Sequence, residues 1–116
     1  MSDQSADLIF GALGDPVRRR ILELLADGPQ PVGRLADRLP VGRPAVSRHL
    51  RVLGEAELVV HRSAGTRNLY ALAPEGLVPA QQWLVRTWDS VLGAYAAEVR
   101  RHVDERTAGV KDGTHG

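Results

Sequence analysis

Cysteine is absent from the 116 residues, and lysine and aromatic residues are scarce. Without cysteine the chain forms no disulfide, no thiolate zinc site and no cysteine nucleophile, so a reducing compartment suits it and we expect a cytoplasmic protein. No apolar run approaches the roughly 18 residues of a membrane span, and residues 1–6 lack the basic start of a signal peptide. We therefore expect no membrane partner.

Motifs that mark common enzyme classes are also missing. The chain contains no G-x-S-x-G, G-x-G-x-x-G or G-x4-G-K-[ST] pattern. Ser47 and His49 are close in sequence, but two residues apart on a helix project about 200° apart, so they cannot act as nucleophile and base. We expect neither catalysis nor a cofactor.

Positive charge is concentrated in the middle of the chain. The net charge of +1 divides into −2 over residues 1–14, +4 over residues 15–72 (ten arginines against six acidic residues) and −1 over residues 73–116. All but one of the fifteen basic residues are arginine, whose planar guanidinium group forms paired hydrogen bonds with phosphates and guanine edges. Double-stranded DNA is therefore the first partner that the composition indicates.

The length fits one domain with one core. A first helix is predicted over residues 6–13. A second is predicted over residues 16–26, because Asp15 can cap it, Pro16 suits its first position and Gly28 supplies a left-handed stop.

Two short helices follow, one over residues 32–39 and one that Pro44 opens. The apolar positions of the second repeat at helical spacing, namely Val46, Leu50 and Leu53. A β-hairpin is predicted next, with strands over residues 58–62 and 68–72. A long helix then covers residues 77–102 and carries an apolar stripe. We place the folded domain at residues 1–106 and a flexible tail at residues 107–116.

The two short helices have the properties of a helix-turn-helix reader of DNA. The first would brace the second, so that the polar face of the second enters a major groove about 12 Å wide. The residues predicted to contact DNA from this helix are Arg43, Pro44, Ser47, Arg48, His49 and Arg51. Beside it the hairpin would contact phosphates or the adjacent minor groove through Arg62, Gly65, Thr66 and Arg67. The predicted class is mainly α (α+β): a winged helix-turn-helix of five helices, with the two-stranded wing between the fourth and fifth.

The sequence also resembles a known family. The runs ALGDPVRRRILELL at residues 12–25 and PAVSRHLRVL at residues 44–53, followed by Leu58-Val59, are similar to the ArsR/SmtB winged-helix repressors, and the match extends over residues 8–95. The resemblance implies a homodimeric repressor that binds a short palindromic operator. It also implies an interface built from the first and last helices, here from Leu8, Ile9, Leu13, Leu84, Trp88, Val91, Leu92 and Tyr95.

Many members of that family sense metals, which leaves a metal-responsive alternative. The last helix offers Asp89, His102 and Glu105 as weak candidate ligands for nickel or zinc, with Val91 where the family pattern has a histidine. Because a zinc site takes four ligands, we expect no resident metal. Another alternative is a winged helix that binds a protein instead of DNA. Both the repressor hypothesis and its alternatives allow an unidentified inducer or partner protein.

Overall fold

The computed structural model describes residues 2–113, with side chains described for residues 4–106. Within this range five α-helices and one two-stranded antiparallel sheet follow in the order α1 (Ser2–Leu13), α2 (Pro16–Leu25), α3 (Val32–Asp37), α4 (Arg43–Glu55), β1 (Val59–Ala64), β2 (Arg67–Leu72) and α5 (Val78–Gly113). A short 3-10 helix over Pro74–Leu77 precedes α5. The predicted fold class is confirmed, including the position of the hairpin between the fourth and fifth helices.

Helix α2 begins where the sequence predicts. The Asp15 carboxylate accepts hydrogen bonds from the backbone N–H groups of Val17 at 2.7 Å and Arg18 at 3.2 Å, which satisfies two donors that have no partner within the helix. Proline suits the first helical position because it lacks an N–H group. After the helix, Gly28 adopts a φ of +136°, a conformation that favours glycine.

The end of α4 is closed by a pair of backbone hydrogen bonds. The Leu58 N–H donates to the Leu53 carbonyl and the Glu57 N–H donates to the Gly54 carbonyl, both at 2.9 Å. This is the Schellman arrangement, whose turn residue is left-handed and usually glycine. Here that residue is Glu57, with a φ of +62°. The turn directs the chain from α4 into β1.

The two strands pair from Val59↔Leu72 to Ala64↔Arg67. They continue further toward the tip than the predicted strands over residues 58–62 and 68–72, so those two boundaries at the tip are wrong. Gly65 adopts a φ of +66°, which allows a two-residue loop to connect the strands. At the base, Gln30 and Tyr70 exchange two backbone hydrogen bonds of 2.9 Å, so the segment before α3 is fastened to the hairpin.

Residues up to Gln82 form one compact unit. Its core is drawn from helices α1 to α4, with Val59 of β1 and Ala80 of α5. The largest fully buried members are Ile9, Ile21, Leu35, Val46, Leu50 and Leu53. Among the described side chains none that is polar or charged is buried. Each large apolar side chain stabilises the unit by roughly 1.5–3 kcal/mol when buried. The orientation of α4 is therefore fixed by its apolar face.

Two predictions about α1 and α5 need correction. Ile9 is only 1% exposed and lies in the core of its own chain, whereas its neighbour Leu8 is 50% exposed; the assignment of Ile9 to a dimer interface is wrong, because its side chain faces inward. Helix α5 continues to Gly113, through residues 107–113 of the predicted tail. Residues 114–116 lie outside the described residues.

The residues from Trp83 onward form a second unit within α5. No helix within residues 2–113 is both long enough and apolar enough to cross a membrane.

Candidate nucleic-acid interface

The outer face of α4 carries the predicted reading residues. Ser47, Arg48 and Arg51 are exposed, while the residues that hold the helix, Val46, Leu50 and Leu53, are buried. Helical spacing separates the two sets, since three or four residues complete one turn. The structure therefore brings one hydroxyl group and two guanidinium groups together on an exposed surface that the core holds in place.

The N-terminal end of α4 lies close to α3. Arg43 and Pro44 are both exposed. The Arg43 guanidinium lies directly over Gly33 of α3, where a Cβ atom would overlap it. Because Gly33 has no side chain, the Arg43 guanidinium group has room to lie against α3. The sequence pattern gave no indication of this contact, because it joins residues in different helices.

His49 is the member of the predicted set that is turned away from the exposed face. Its ring is half-buried, and its Nδ1 atom lies 3.4 Å from a guanidinium nitrogen of Arg18 in α2. Arg18 is followed by two further arginines, Arg19 and Arg20, yet Arg18 is half-buried whereas the other two are exposed. Arg18 therefore belongs to the surroundings of α4.

Asp15 supplies negative charge next to this pair. Hydrogen bonds from the backbone of Arg18 and Val17, together with the charges of His49 and Arg18, hold the pKa of the Asp15 carboxyl group below its usual range. Asp15 thus remains charged at neutral pH and keeps its role as the cap of α2.

The hairpin presents its two arginines on one face. Side chains alternate between the faces of a strand, and cross-strand partners share a face. Arg62 pairs with Leu69 and Arg67 pairs with Ala64, so both arginines lie on the same face. Both are exposed, as are Gly65 and Thr66 in the loop. The tip of the hairpin is therefore cationic and accessible.

A groove separates α4 from the other face of the hairpin. Ser47 and Arg51 line it from α4, and His61 and Tyr70 line it from the strands. The rings of His61 and Tyr70 meet edge to face, with centroids 5.2 Å apart. Neither residue is identified by motif or spacing. Strand register pairs them, and they lie beside the outer face of α4.

The candidate metal ligands do not assemble into a site. His102 Nδ1 lies 3.9 Å from Glu105 Oε1, with both side chains largely exposed. Asp89 lies thirteen residues before His102 on the same helix, about 20 Å away at 1.5 Å per residue. Within the described part of the chain no three His, Asp or Glu side chains are grouped in a way that could hold a metal ion.

The remaining predicted interface residues on α5 are exposed. Trp88 is 51% and Tyr95 is 64% accessible, and the same holds for their neighbours on the stripe, Leu84, Val91 and Leu92. On α1, Leu8 is exposed and Leu13 is half-buried against the core. Large apolar side chains are thus left uncovered along much of α5.

Comparison with known proteins agrees with this geometry. A family model described as a helix-turn-helix domain matches residues 13–62. The HTH-type transcriptional regulator Rv2034 of Mycobacterium tuberculosis is 48% identical over 102 residues, which cover 88% of this chain and 95% of the relative. The transcriptional repressor SdpR of Bacillus subtilis is 32% identical over 77 residues, 66% of this chain and 86% of that protein.

A solved structure shares the fold. It is the homodimeric winged helix-turn-helix DNA-binding domain of a possible ArsR-family transcriptional regulator from Mycobacterium bovis. The sequences are 27% identical, the TM-score is 0.60, and the alignment covers 72% of this chain and 80% of the other.

Proposed function

Because this chain belongs to the ArsR/SmtB family of winged helix-turn-helix transcriptional regulators, we propose that it is a homodimeric repressor that binds a short palindromic operator. The observation that carries the proposal is the outer face of α4, where Ser47, Arg48 and Arg51 are exposed opposite a buried apolar face. Since such a regulator acts on DNA, we infer a cytoplasmic location.

Helix α4 is the element proposed to enter the major groove. An α-helix fits the groove, and an arginine fork on guanine O6 and N7 is the most frequent specific contact there. Arg48 is assigned this role because it lies next to Ser47 on the exposed face, within the first turns of the helix. Arg51, one turn further, is assigned to phosphate.

The hairpin is proposed to hold the DNA backbone. Arg62 and Arg67 share one face near the loop, so one phosphate strand or one minor groove can meet both. Contacts to phosphate fix the register of a protein on DNA without reading its sequence. At the tip, Gly65 has no side chain and Thr66 has only a small side chain with a hydroxyl group, so neither residue adds bulk there.

The exposed stripe on α5 is proposed to be the dimer interface, together with Leu8 and Leu13 of α1. Large apolar side chains such as Trp88 and Tyr95 are costly to leave in water, and an exposed apolar surface of this kind marks an interaction site. The homodimeric neighbour from Mycobacterium bovis supports a dimeric state. Two copies of α4 would then meet two half-sites about one helical turn apart.

A repressor of this form acts most simply by blocking RNA polymerase.

Selection of DNA from a pool of random duplexes by the purified protein tests the proposal. We expect an enriched sequence with two related half-sites, bound with an affinity that falls steeply as salt rises from low to moderate concentration, because arginine contacts to phosphate release counterions. Enrichment of no sequence would contradict the proposal. A protein-binding winged helix would show weak DNA binding and an apolar contact that barely responds to salt.

A further inference from the structure

The Arg18 guanidinium group connects α1, α2 and α4. From its position in α2, its Nε donates to the Ala12 carbonyl oxygen at 2.7 Å and its Nη2 donates to the Gly11 carbonyl oxygen at 3.1 Å. Both acceptors lie in the last turn of α1, where carbonyl groups lack partners within the helix. The third nitrogen, Nη1, lies 3.4 Å from His49 Nδ1 in α4.

We propose that Arg18 is a positioning residue for DNA recognition, which holds α4 in register with the end of α1 through its contact with His49. The inference rests on the proposed function, because it assigns α4 to the major groove. His49 directly follows Ser47 and Arg48 in α4, so a shift of the His49 ring moves the proposed reading residues. The assignment removes His49 from the predicted DNA contacts and gives it a role inside the protein.

The Arg18 guanidinium group only donates hydrogen bonds, and two of its nitrogens are already directed at carbonyl oxygens of α1. Its remaining nitrogen, Nη1, faces the His49 ring. The charged groups that face His49 from α2 are Arg18 itself and Asp15, while α1 contributes carbonyl oxygens that Arg18 already occupies.

The contact also joins the helix proposed to form part of the dimer interface to the helix proposed to read DNA. α1 carries the exposed Leu8 and ends at the carbonyl groups that Arg18 holds. A dimer presents its two recognition helices at a fixed spacing only if each is held firmly relative to the interface. Arg18 supplies a polar link of this kind beside the apolar core.

Arg19 provides a matched control. It is the next residue of α2, it is exposed, and its Nη1 donates to the Leu13 carbonyl oxygen at 2.6 Å. Arg19→Ala therefore removes the same charge and also breaks a bond to the end of α1, but leaves the Arg18 and His49 pair in place. Any effect specific to Arg18 must exceed the effect of Arg19→Ala.

A double-mutant cycle on the selected duplex tests the proposal. We expect Arg18→Ala and His49→Ala each to weaken binding about tenfold, and the double variant to be no weaker than the more affected single variant, because both remove one interaction. Arg19→Ala should change affinity less than threefold. Additive losses from Arg18→Ala and His49→Ala would overturn the proposal, as would equal losses from Arg18→Ala and Arg19→Ala.

A conservative variant separates positioning from simple stability. His49→Gln keeps a polar side chain that can accept a hydrogen bond from Arg18, so it should bind the selected duplex within about threefold of wild type, whereas His49→Ala should lose about tenfold. Equal losses from His49→Gln and His49→Ala would overturn the proposal. This comparison decides the matter even if Arg18→Ala fails to fold. If wild type selects no duplex, the proposed function fails; if wild type binds and the Arg18 and His49 variants match it, only this inference fails.

Discussion

The backbone of Gly76 lies directly against the carbonyl group of Glu57, so that a side chain at position 76 would overlap the carbonyl oxygen. Glu57 is the left-handed residue that closes α4, and Gly76 belongs to the 3-10 helix that leads into α5. The Ala73 N–H also donates to the Leu58 carbonyl at 2.9 Å. The C-terminal end of α4, the proposed recognition helix, therefore packs against and hydrogen-bonds with the segment that follows β2.

Gly76→Ala should lower the free energy of unfolding by about 1–3 kcal/mol, the range for overpacking a tightly packed position. Backbone atoms give way less easily than a flexible side chain, so relaxation relieves little of the overlap. Gly54→Ala in α4 is the control, since a methyl group there meets nothing within 4 Å and should stabilise the helix by about 0.5–1 kcal/mol. Urea unfolding of both variants measures the difference; equal stabilities would contradict the described contact.

Replacement of Asp15 should alter stability in acid. The folded-state pKa of Asp15 is depressed, so its contribution is present above the unfolded-state pKa and is lost as the pH falls through the lower folded-state pKa. We expect wild type to lose stability below about pH 4, and Asp15→Asn, which can still cap α2, to lose less over the same range. Melting temperatures of both proteins from pH 7 to pH 2.5 provide the test. If the melting temperature depends on pH in the same way for wild type and Asp15→Asn, the Asp15 charge contributes nothing to stability.

The helices were predictable because their signals are local. Asp15 and Pro16 mark the start of α2, and the spacing of Val46, Leu50 and Leu53 marks the inner face of α4. Such patterns depend on helical geometry within a few residues. The same spacing identified Ser47, Arg48 and Arg51 as an outward set.

Contacts between distant elements were not predictable from these patterns. Arg18 meets His49 across 31 positions of the sequence, and in the sequence Arg18 looks like its two exposed neighbours. Leu8 and Ile9 are adjacent apolar residues, and only the packing of α1 decides which faces the core. The end of α5 was missed because apolar periodicity stops near residue 106, whereas a helix continues as long as its backbone hydrogen bonds do.

Trp88→Glu should dissociate the proposed dimer. A charge buried without a partner in an apolar interface costs on the order of several kcal/mol. Sedimentation should show a monomer with much weaker operator affinity, since the two half-sites are then bound separately. Ser90→Glu adds the same charge two residues away, about 200° around the helix, and should leave the dimer intact. A dimeric Trp88→Glu protein would place the interface elsewhere.

Arg67→Ala should weaken binding to every DNA sequence alike. A phosphate contact carries no sequence information, so affinity for the selected duplex and for a scrambled duplex should fall by similar factors, and the dependence of log affinity on log salt should become shallower by about one unit. Arg86→Ala removes one charge from an exposed position on α5 and controls for net charge. Loss of preference between the two duplexes would instead mean that Arg67 reads bases.

The most direct test of the account is the ratio of affinities for the selected and scrambled duplexes, measured by fluorescence anisotropy for wild type and Arg48→Ala at one salt concentration. Because Arg48 lies on the exposed face opposite Val46, Leu50 and Leu53, the variant should keep its melting temperature. We expect the preference for the selected duplex to fall by about 1–3 kcal/mol, the value of one arginine fork on guanine. An unchanged ratio in a folded Arg48→Ala protein would contradict the assignment of α4 as the helix that reads DNA through this residue.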